Sequence, residues 1–265
     1  MENIYTDILA NINLFFLILV RVSGIFVIAP IFGRNNLPVI MKVGLSALIS
    51  FILLPIISSD IGIHLQQNHF FELTLNITKE FLLGVTIGFI CFLYFSALYL
   101  AGTIIDTQIG FAMVNVLDPQ LNTQMPIMAN YYNILVTLIF LILNGHHFII
   151  RGLVYSYELL PIGFVFTISE GVIYKLIDMM MEIFVLAFQF SAPILATIFL
   201  ANVLLGILAR TMPQMNVFIV GLPLKIFVGI LTILVTLQFL IPFSQRLFDK
   251  MFGGLYEILQ LLSKG

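Results

Sequence analysis

The sequence predicts an all-α fold of the membrane type, built from helical hairpins. Hydrophobic residues make up 61% of the 265 positions and charged residues only 9%, whereas a soluble domain has roughly 45–50% and about 25%. The apolar residues also gather into long runs of about the 20 residues that a helix needs to cross a bilayer. The polar sequence left between these runs is too short to build a separate soluble domain.

Six long apolar helices, some of them kinked at proline or glycine, are predicted in order along the chain. They are Ile8–Ile31, Pro38–Ile57, Phe70–Ile105, Ile127–Ile150, Val172–Ala209 and Val217–Ile241. Uncharged runs lie between Glu80 and Asp106 and between Glu182 and Arg210. At about 1.5 Å per residue each run approaches ~40 Å, which exceeds a hydrocarbon core of about 30 Å. Tilt or burial inside protein must absorb the excess length.

A seventh helix, Gln245–Leu262, is predicted to be amphipathic. Its apolar positions recur at intervals of three and four residues, and charged residues stand between them. These apolar positions are Leu247, Phe248, Met251, Leu255, Ile258, Leu259 and Leu262. We expect this helix to lie on a surface or to grip a partner.

The segment Ser191–Ile226 predicts a helical hairpin with a short polar corner. Its corner and its irregular positions are Pro193, Arg210, Pro213, Gln214, Asn216, Pro223 and Lys225. Each proline within an arm removes a backbone hydrogen bond, and in an apolar environment neighbouring protein must repair that loss. Because Gly221 stands beside it, Pro223 is predicted to mark an unwound or kinked point.

The loop from Asp106 to Pro126 differs from an ordinary exposed loop. It contains no basic residue, and it mixes Met, Phe, Val and Leu with Asn and Gln, whereas exposed loops are more polar. Two interpretations remain open. Ile109–Leu117 is either a short helix resting on the core or part of a constriction or plug inside a lumen, where irregular backbone is tolerated at membrane depth.

Arg21 stands midway along the first apolar segment, where a charge that faces lipid is costly. A structural ion pair is favoured over a role in transport, with Asp106 or Asp118 as the candidate partner. Gly84 and Gly88 form a GxxxG pattern, which predicts close helix packing.

No pattern typical of an enzyme or of a metal site is present. The sequence lacks GxxxxGK[ST], HExxH, GxSxG and GxGxxG. His146 and His147 are adjacent, so on a helix they point about 100° apart and cannot both bind one ion; a role at a helix end is favoured. Basic residues are scattered, which disfavours nucleic acid as a partner. We therefore expect no catalysis and no cofactor.

Several short motifs, taken together in their order and spacing, resemble one known family. They are Arg21-Val-Ser-Gly, Ala29-Pro30-Ile-Phe-Gly33 with Pro38, Gly110-Phe111-Ala-Met113, Asp118-Pro119, Asn144-Gly-His-His147, Leu160-Pro161, Ala209-Arg-Thr-Met-Pro-Gln-Met-Asn-Val-Phe218 and Gly221-Leu-Pro-Leu-Lys225. Over essentially its whole length the chain resembles the FliR family of flagellar biosynthetic proteins, which is equivalent to the T-type subunit of type III secretion systems.

The resemblance implies a subunit of an export gate derived from the bacterial inner membrane, in the flagellar basal body. Such a subunit joins FliP-like and FliQ-like subunits in a hetero-oligomer, with an FlhB-like subunit nearby, and unfolded flagellar proteins pass through the channel. The proton motive force and an associated ATPase complex would drive export. Residues 1–180 would be the FliP-like part, 181–245 the FliQ-like hairpin and 246–265 the amphipathic C-terminal helix.

The resemblance also makes the loop after the third segment the plug of the pore. Its candidate residues are Gly110, Phe111, Met113, Asn115, Asp118 and Pro119, and the hairpin would help to hold them in place. The residues assigned to structure or assembly are Arg21, Pro30, Gly33, Pro38, Pro193, Arg210, Pro213, Gln214, Asn216, Pro223 and Lys225. The alternatives are the equivalent subunit of a virulence type III system, a secondary transporter with broken helices, and a membrane scaffold without a pore.

Overall fold

The computed structural model describes residues 2–33, 37–58, 70–111, 126–164, 169–214 and 216–264. Every regular element within these ranges is a helix, which confirms the predicted fold class. The helices are α1 (Glu2–Ile28), α2 (Val39–Ser58), α3 (Phe70–Ile109), α4 (Ile127–Ile142), α5 (Gly145–Leu159), α6 (Glu170–Thr211), α7 (Val217–Thr236) and α8 (Leu240–Ser263), with a short 3-10 helix (Leu237–Phe239) before α8.

Among the described residues, four helical stretches are long and apolar enough to cross a membrane. They are Val39–Ile57, Phe71–Ile109, Glu170–Thr211 and Ile219–Ser263. With 40 residues in α3 and 42 in α6, these two helices are about 60 Å long, twice a hydrocarbon core of about 30 Å. Both helices therefore extend well beyond the thickness of one bilayer or cross it at a steep tilt.

The apolar segment predicted as one helix over Ile127–Ile150 is instead two helices. α4 and α5 are bent by 70° at a break between Ile142 and Gly145. Asn144 has a left-handed backbone, with φ 56° and ψ 29°, and asparagine tolerates this conformation better than most residues. The prediction of a single continuous helix is wrong here because apolar periodicity does not register a turn made by one residue.

The chain divides into two compact units. The first unit comprises Met1–Leu93, Asn144–Asp178 and Lys250–Gly265, and the second comprises Tyr94–Leu143 and Met179–Asp249. Since the boundaries fall inside α3, α6 and α8, each of these helices contributes to both units.

In the first unit, glycines allow α1 and α3 to pack backbone against backbone. A Cβ atom on Gly84 would lie only 2.0 Å from the carbonyl oxygen of Arg21, and one on Gly24 would lie 2.8 Å from the carbonyl oxygen of Phe81. Gly88 is close as well, because its Cβ would lie 3.2 Å from the carbonyl oxygen of Ile25. The close packing predicted from the GxxxG pattern is confirmed.

The amphipathic character of the last helix is confirmed, although the helix begins earlier than predicted, at Leu240. All seven predicted apolar positions are buried, none of them more than 4% exposed. In the second unit, the ring of Phe248 lies 5.0 Å from that of Phe140; in the first unit, Leu255 packs on Gly152. This face therefore packs inside the chain's own core, and the expectation that it lies on a surface or grips a partner is wrong.

Helices α6 and α7 form the predicted hairpin, with its corner between Thr211 and Val217. The hydroxyl of Thr232 donates to that of Thr197 at 3.2 Å. Because these threonines lie about equally far from the corner, the two arms run antiparallel in the second unit.

The backbone stays helical through the prolines of the hairpin. Pro193 lies inside α6 and Pro223 inside α7, so the backbone is not unwound at Pro223, and the predicted alternative of a kink there stays a prediction. Proline fixes φ near −65°, close to the helical value, and can remove one hydrogen bond without unwinding the helix. The change of helix type occurs later, at Leu237–Phe239.

Candidate functional site

The loop between α3 and α4, predicted to be a plug, is described at both of its ends. Gly110 and Phe111 stand at its start and Pro126 at its end. The stretch 112–125 lies outside the described residues, and it includes the predicted plug residues Met113, Asn115, Asp118 and Pro119. The geometry given below is therefore that of the two ends of this loop.

Asp106, in the last turn of α3, joins the two ends of the loop. Its side chain is buried, and both carboxylate oxygens accept hydrogen bonds from the backbone N–H of Met128, each at 3.0 Å. One of them also accepts from the N–H of Ala129 at 3.3 Å. We call this contact between the Asp106 carboxylate and the N-terminus of α4 the base clasp.

The base clasp fills the role of a helix cap. The first N–H groups of a helix have no partner within it, and Pro126, the N-cap residue of α4, provides no side-chain hydrogen bond. A carboxylate 22 residues earlier in the chain supplies the missing acceptor instead. The positive end of the helix dipole favours a negative charge at this place, which offsets the cost of burying the carboxylate.

Close packing brings the two helices within reach of each other at this point. A Cβ atom on Gly102, one turn before Asp106, would lie 2.3 Å from the Cα of Ala129. Only glycine permits such an approach of α3 to the start of α4, and the approach places the N–H groups of α4 beside the carboxylate.

The start of the loop rests on the second arm of the hairpin. Gly110 has φ 98°, a conformation that glycine adopts readily and that commonly ends a helix. A Cβ atom on Gly110 would lie 2.9 Å from Cδ1 of Leu222, and one on Gly229 would lie 2.6 Å from Cδ1 of Ile109. The chain thus leaves α3 in contact with α7.

A second buried charge, Arg21, lies in the first unit. The prediction that it pairs with Asp106 or Asp118 is wrong. Its Nε donates to Oε2 of Glu80 at 2.6 Å, and its Nη2 donates to Oε1 at 3.0 Å. Asp106 is instead committed to the base clasp, and Asp118 lies outside the described residues. The prediction failed because Glu80 stands next to Lys79 at the edge of an uncharged run, where the sequence gives no sign of burial.

The remaining donors and the face of the Arg21 guanidinium are also satisfied. Nη1 donates to the hydroxyl of Ser156 at 3.0 Å, and Nη2 donates to the carbonyl oxygen of Leu160 at 2.9 Å. The guanidinium carbon stands 3.7 Å from the ring centroid of Tyr157, within the range of a cation–π interaction. We call Arg21, Glu80, Ser156, Tyr157 and Leu160 the arginine cluster.

The predicted residues of the hairpin corner are gathered at one end of α6 and α7. Arg210, Pro213, Gln214 and Asn216 are all exposed there. Asn216 accepts a hydrogen bond from the N–H of Ile219 on its side-chain oxygen at 3.4 Å, which is the action of an N-cap. Arg210 lies in the last turn of α6, where a positive charge is favourable.

The other predicted structural residues are not part of the corner. Pro193, Pro223 and Lys225 lie within the helical arms. Pro30 and Gly33 belong to the turn after α1, in which the N–H of Gly33 donates to the carbonyl oxygen of Ala29 at 2.6 Å. Pro38 immediately precedes α2, and its carbonyl oxygen accepts from the N–H of Met41 at 2.9 Å.

His146 and His147 lie in the first turn of α5, as the preference for a helix end predicts. The N–H of His147 donates to the carbonyl oxygen of Asn144 at 2.9 Å, and the two imidazole rings are 4.2 Å apart. Among the residues that the structure describes, no three His, Cys, Asp or Glu side chains form a group that could hold a metal ion.

Comparison with known proteins places this architecture in a family. The model of the bacterial export proteins, family 1, matches residues 12–251. The chain is 32% identical over 250 residues to flagellar biosynthetic protein FliR of Bacillus subtilis (strain 168), covering 94% of this chain and 95% of that protein.

Two further relatives extend the comparison. Flagellar biosynthetic protein FliR of Escherichia coli (strain K12) is 31% identical over 255 residues, which cover 96% of this chain and 95% of that protein. Yop proteins translocation protein T of Yersinia pestis is 31% identical over 214 residues, or 79% of this chain and 80% of that protein. The family match over residues 12–251 spans the arginine cluster, the base clasp and the hairpin, and the chain therefore belongs to the bacterial export proteins, family 1, as a protein of the FliR type.

Proposed function

We propose that this chain is a core subunit of the flagellar type III protein export gate and that it contributes the plug of the channel. With FliP-like and FliQ-like subunits it forms the passage for unfolded flagellar proteins, and an FlhB-like subunit lies nearby. Relatives named flagellar biosynthetic protein FliR match more than nine-tenths of the chain, which supports the flagellar assignment.

The observation that carries the plug is the base clasp. A buried carboxylate closes the base of the loop between α3 and α4, while the loop itself contains no basic residue and many apolar ones. A loop of this composition needs protein around it or a lumen beside it, because exposed loops are polar. Fixed at both ends, it suits a closure that moves without rearranging its helices.

The outer faces of the hairpin support assembly with partner subunits. On α6 the side chains of Phe188 and Phe199 are 57% and 65% exposed, and on α7 those of Phe227 and Leu234 are each 64% exposed. Soluble monomers rarely leave so much contiguous apolar surface uncovered. Since α6 is about twice as long as the hydrocarbon core of a bilayer is thick, lipid alone does not cover it, and FliQ-like subunits are the proposed cover.

The chain itself catalyses no reaction in this proposal and uses no cofactor. Its part in transport is to form and close a passage in the bacterial inner membrane, at the flagellar basal body. The proton motive force and the associated ATPase complex supply the energy for export.

A virulence-type export apparatus is the second candidate. The 31% identity to Yop proteins translocation protein T over 79% of the chain favours it. Both candidates require the same gate, and they differ in the exported proteins.

The test is deletion of residues 110–118 in a flagellated cell whose own FliR gene has been removed. The unaltered chain should restore motility, and the deletion should make the cell envelope leak ions or small dyes while the complex still assembles. Deletion of residues 60–67, in the loop between α2 and α3, serves as the control and should not leak. Unchanged permeability after the 110–118 deletion would contradict the plug, and failure to restore motility would favour the virulence system.

A further inference from the structure

We infer that two backbone carbonyl groups on the outer face of the hairpin, those of Gln189 and Ile219, are docking points for hydrogen-bond donors of a partner helix. We call these two groups the hairpin carbonyls. The occupant is an apolar helix of a partner subunit that carries hydroxyl or amide side chains opposite them. The inference rests on the proposed assembly with partner subunits and adds the chemistry of the contact.

The prolines of the hairpin create the two acceptors. In a continuous α-helix each backbone carbonyl oxygen accepts from the N–H four residues later, and proline has no N–H. Pro193 therefore leaves the carbonyl oxygen of Gln189 without its donor in α6, and Pro223 does the same to that of Ile219 in α7. Each arm of the hairpin thus has one backbone acceptor that its own helix does not use.

Hydroxyl groups close to the first proline donate to other carbonyl groups. The hydroxyl of Thr197 donates to the carbonyl oxygen of Pro193 at 2.9 Å, and that of Ser191 donates to the carbonyl oxygen of Phe188 at 3.3 Å. Within the part of the chain that the structure describes, no side chain donates to either hairpin carbonyl. The missing donors must therefore come from outside these residues.

Both hairpin carbonyls lie on the exposed faces of their helices. Positions four residues apart share one face of a helix. Gln189 and Pro193 are both exposed on α6, and on α7 Pro223 is exposed and Ile219 is 67% exposed. A molecule that covers the outer face of the hairpin therefore covers the two acceptors as well.

The apolar surroundings of the hairpin carbonyls favour protein over water or lipid as the occupant. Phe188 and Phe199 on α6 are 57% and 65% exposed, and Phe227 on α7 is 64% exposed. Contiguous apolar surface of this kind is rarely left in water, and lipid tails have no donor for a carbonyl group. A partner helix meets both requirements, because it covers the phenyl rings and presents O–H or N–H groups to the carbonyls.

Small side chains leave room for such a helix beside the carbonyl on α6. Ala192 and Ala196 are exposed on either side of Pro193, and small residues allow helices to approach closely. A serine, threonine, asparagine or glutamine of the partner can therefore reach an acceptor that belongs to the backbone.

The experiment compares proline variants of the full chain by two quantities. These are the yield of complex when the chain is produced in limiting amount with FliP-like and FliQ-like subunits, and the melting temperature of the chain alone in detergent. In Pro193→Ala and Pro223→Ala the new N–H binds the carbonyl within the helix. The yield should fall roughly five-fold for each variant, as expected for one lost hydrogen bond.

The melting temperature distinguishes lost docking from damage to the chain. It should stay equal or rise in both variants, because alanine is a better helix former than proline. Val203→Ala, at a position of α6 that is 46% exposed, is the matched control and should leave the yield nearly unchanged. A yield as low for this control as for Pro193→Ala would overturn the inference, because loss of apolar surface alone would then explain the effect.

A backbone ester separates the open carbonyl from the shape that proline gives the helix. Lactic acid at position 193, introduced with a suppressor tRNA in cell-free translation, has the side chain of alanine and, like proline, no N–H. It should assemble nearly as well as the unaltered chain. Assembly as poor as that of Pro193→Ala would overturn the inference, because the partner would then require the proline ring or a bend in the helix.

The unaltered chain separates failure of the inference from failure of the proposed function. If it forms the complex and both alanine variants form as much, the inference is overturned and the proposed function stands. If the unaltered chain forms no complex with FliP-like and FliQ-like subunits, the proposed function is contradicted and the inference falls with it.

Discussion

Two of the buried charged residues in the part of the chain that the structure describes, Arg21 in the first unit and Asp106 in the second, are stabilised in different ways. Arg21 is bound by a carboxylate, a hydroxyl, a carbonyl oxygen and an aromatic ring, from partners 59 to 139 residues away. Asp106 is bound through its side chain by backbone N–H groups of one helix, 22 and 23 residues away. The first charge ties distant helices together, whereas the second ties the ends of one loop.

This difference predicts different consequences of substitution. Removing one member of a buried ion pair leaves the other charge unpaired, which costs about 3–5 kcal/mol. Removing a helix cap costs only about 1 kcal/mol. Loss of the arginine cluster should therefore destabilise the fold. Loss of the base clasp should leave the chain folded and alter the loop between α3 and α4.

The largest effect is expected from Arg21→Met. It leaves Glu80 buried without its cation and should lower the free energy of unfolding by about 3–5 kcal/mol, seen as a much lower melting temperature and yield in detergent. Arg151→Met, at an exposed arginine, is the control. Arg21→Met combined with Glu80→Leu should recover part of the loss, because neither charge of the buried ion pair then remains. If the Arg21 and Arg151 variants were equally stable, the arginine cluster would not stabilise the fold as predicted.

A smaller effect is expected from Gly84→Ala, which tests the packing around the arginine cluster. The added Cβ would meet the carbonyl group of Arg21 and should force α1 away from α3, at a cost of about 1–3 kcal/mol. Gly44→Ala, with nothing within 4 Å of the added atom, is the matched control and should leave the melting temperature nearly unchanged. If Gly84→Ala were as stable as Gly44→Ala, α1 and α3 would pack less closely than the structure shows.

The smallest effect on stability is expected from Asn216→Ala, a second helix cap in the second unit. Asn216 caps α7 from three residues away, so its loss should cost about 1 kcal/mol without leakage. Because it lies at the exposed corner of the hairpin, it should lower the yield of the assembled complex. Gly206→Ala, an open position on α6, is the control. Leakage from Asn216→Ala would show that any lost cap opens the gate.

Local and periodic features of the fold were predictable from the sequence. The buried face of α8 follows from apolar residues three and four apart, and the packing of α1 on α3 agrees with Gly84 and Gly88. The corner between α6 and α7 was predicted from its polar residues. The signal for each of these features lies in residues close together in the chain, even though the packing of α1 on α3 joins distant residues.

The features that escaped prediction depend on contacts between distant residues or on one backbone angle. The sequence does not show that Glu80 meets Arg21, or that Asp106 meets the N-terminus of α4. The left-handed Asn144 breaks an apolar run that is otherwise periodic, although the pair Asn144-Gly145 is a known turn signal. The predicted unwinding at Pro223 also did not occur, because the backbone of α7 stays helical through this proline.

The most direct test measures two quantities side by side for Arg21→Met and Asp106→Ala: the amount of assembled complex and the permeability per complex. We expect Arg21→Met to lower the amount of complex and to leave the permeability of each remaining complex unchanged. We expect Asp106→Ala to leave the amount nearly unchanged and to raise the permeability several-fold. If both substitutions changed the same quantity, the proposed difference between Arg21, which stabilises the fold, and Asp106, which positions the loop between α3 and α4, would be wrong.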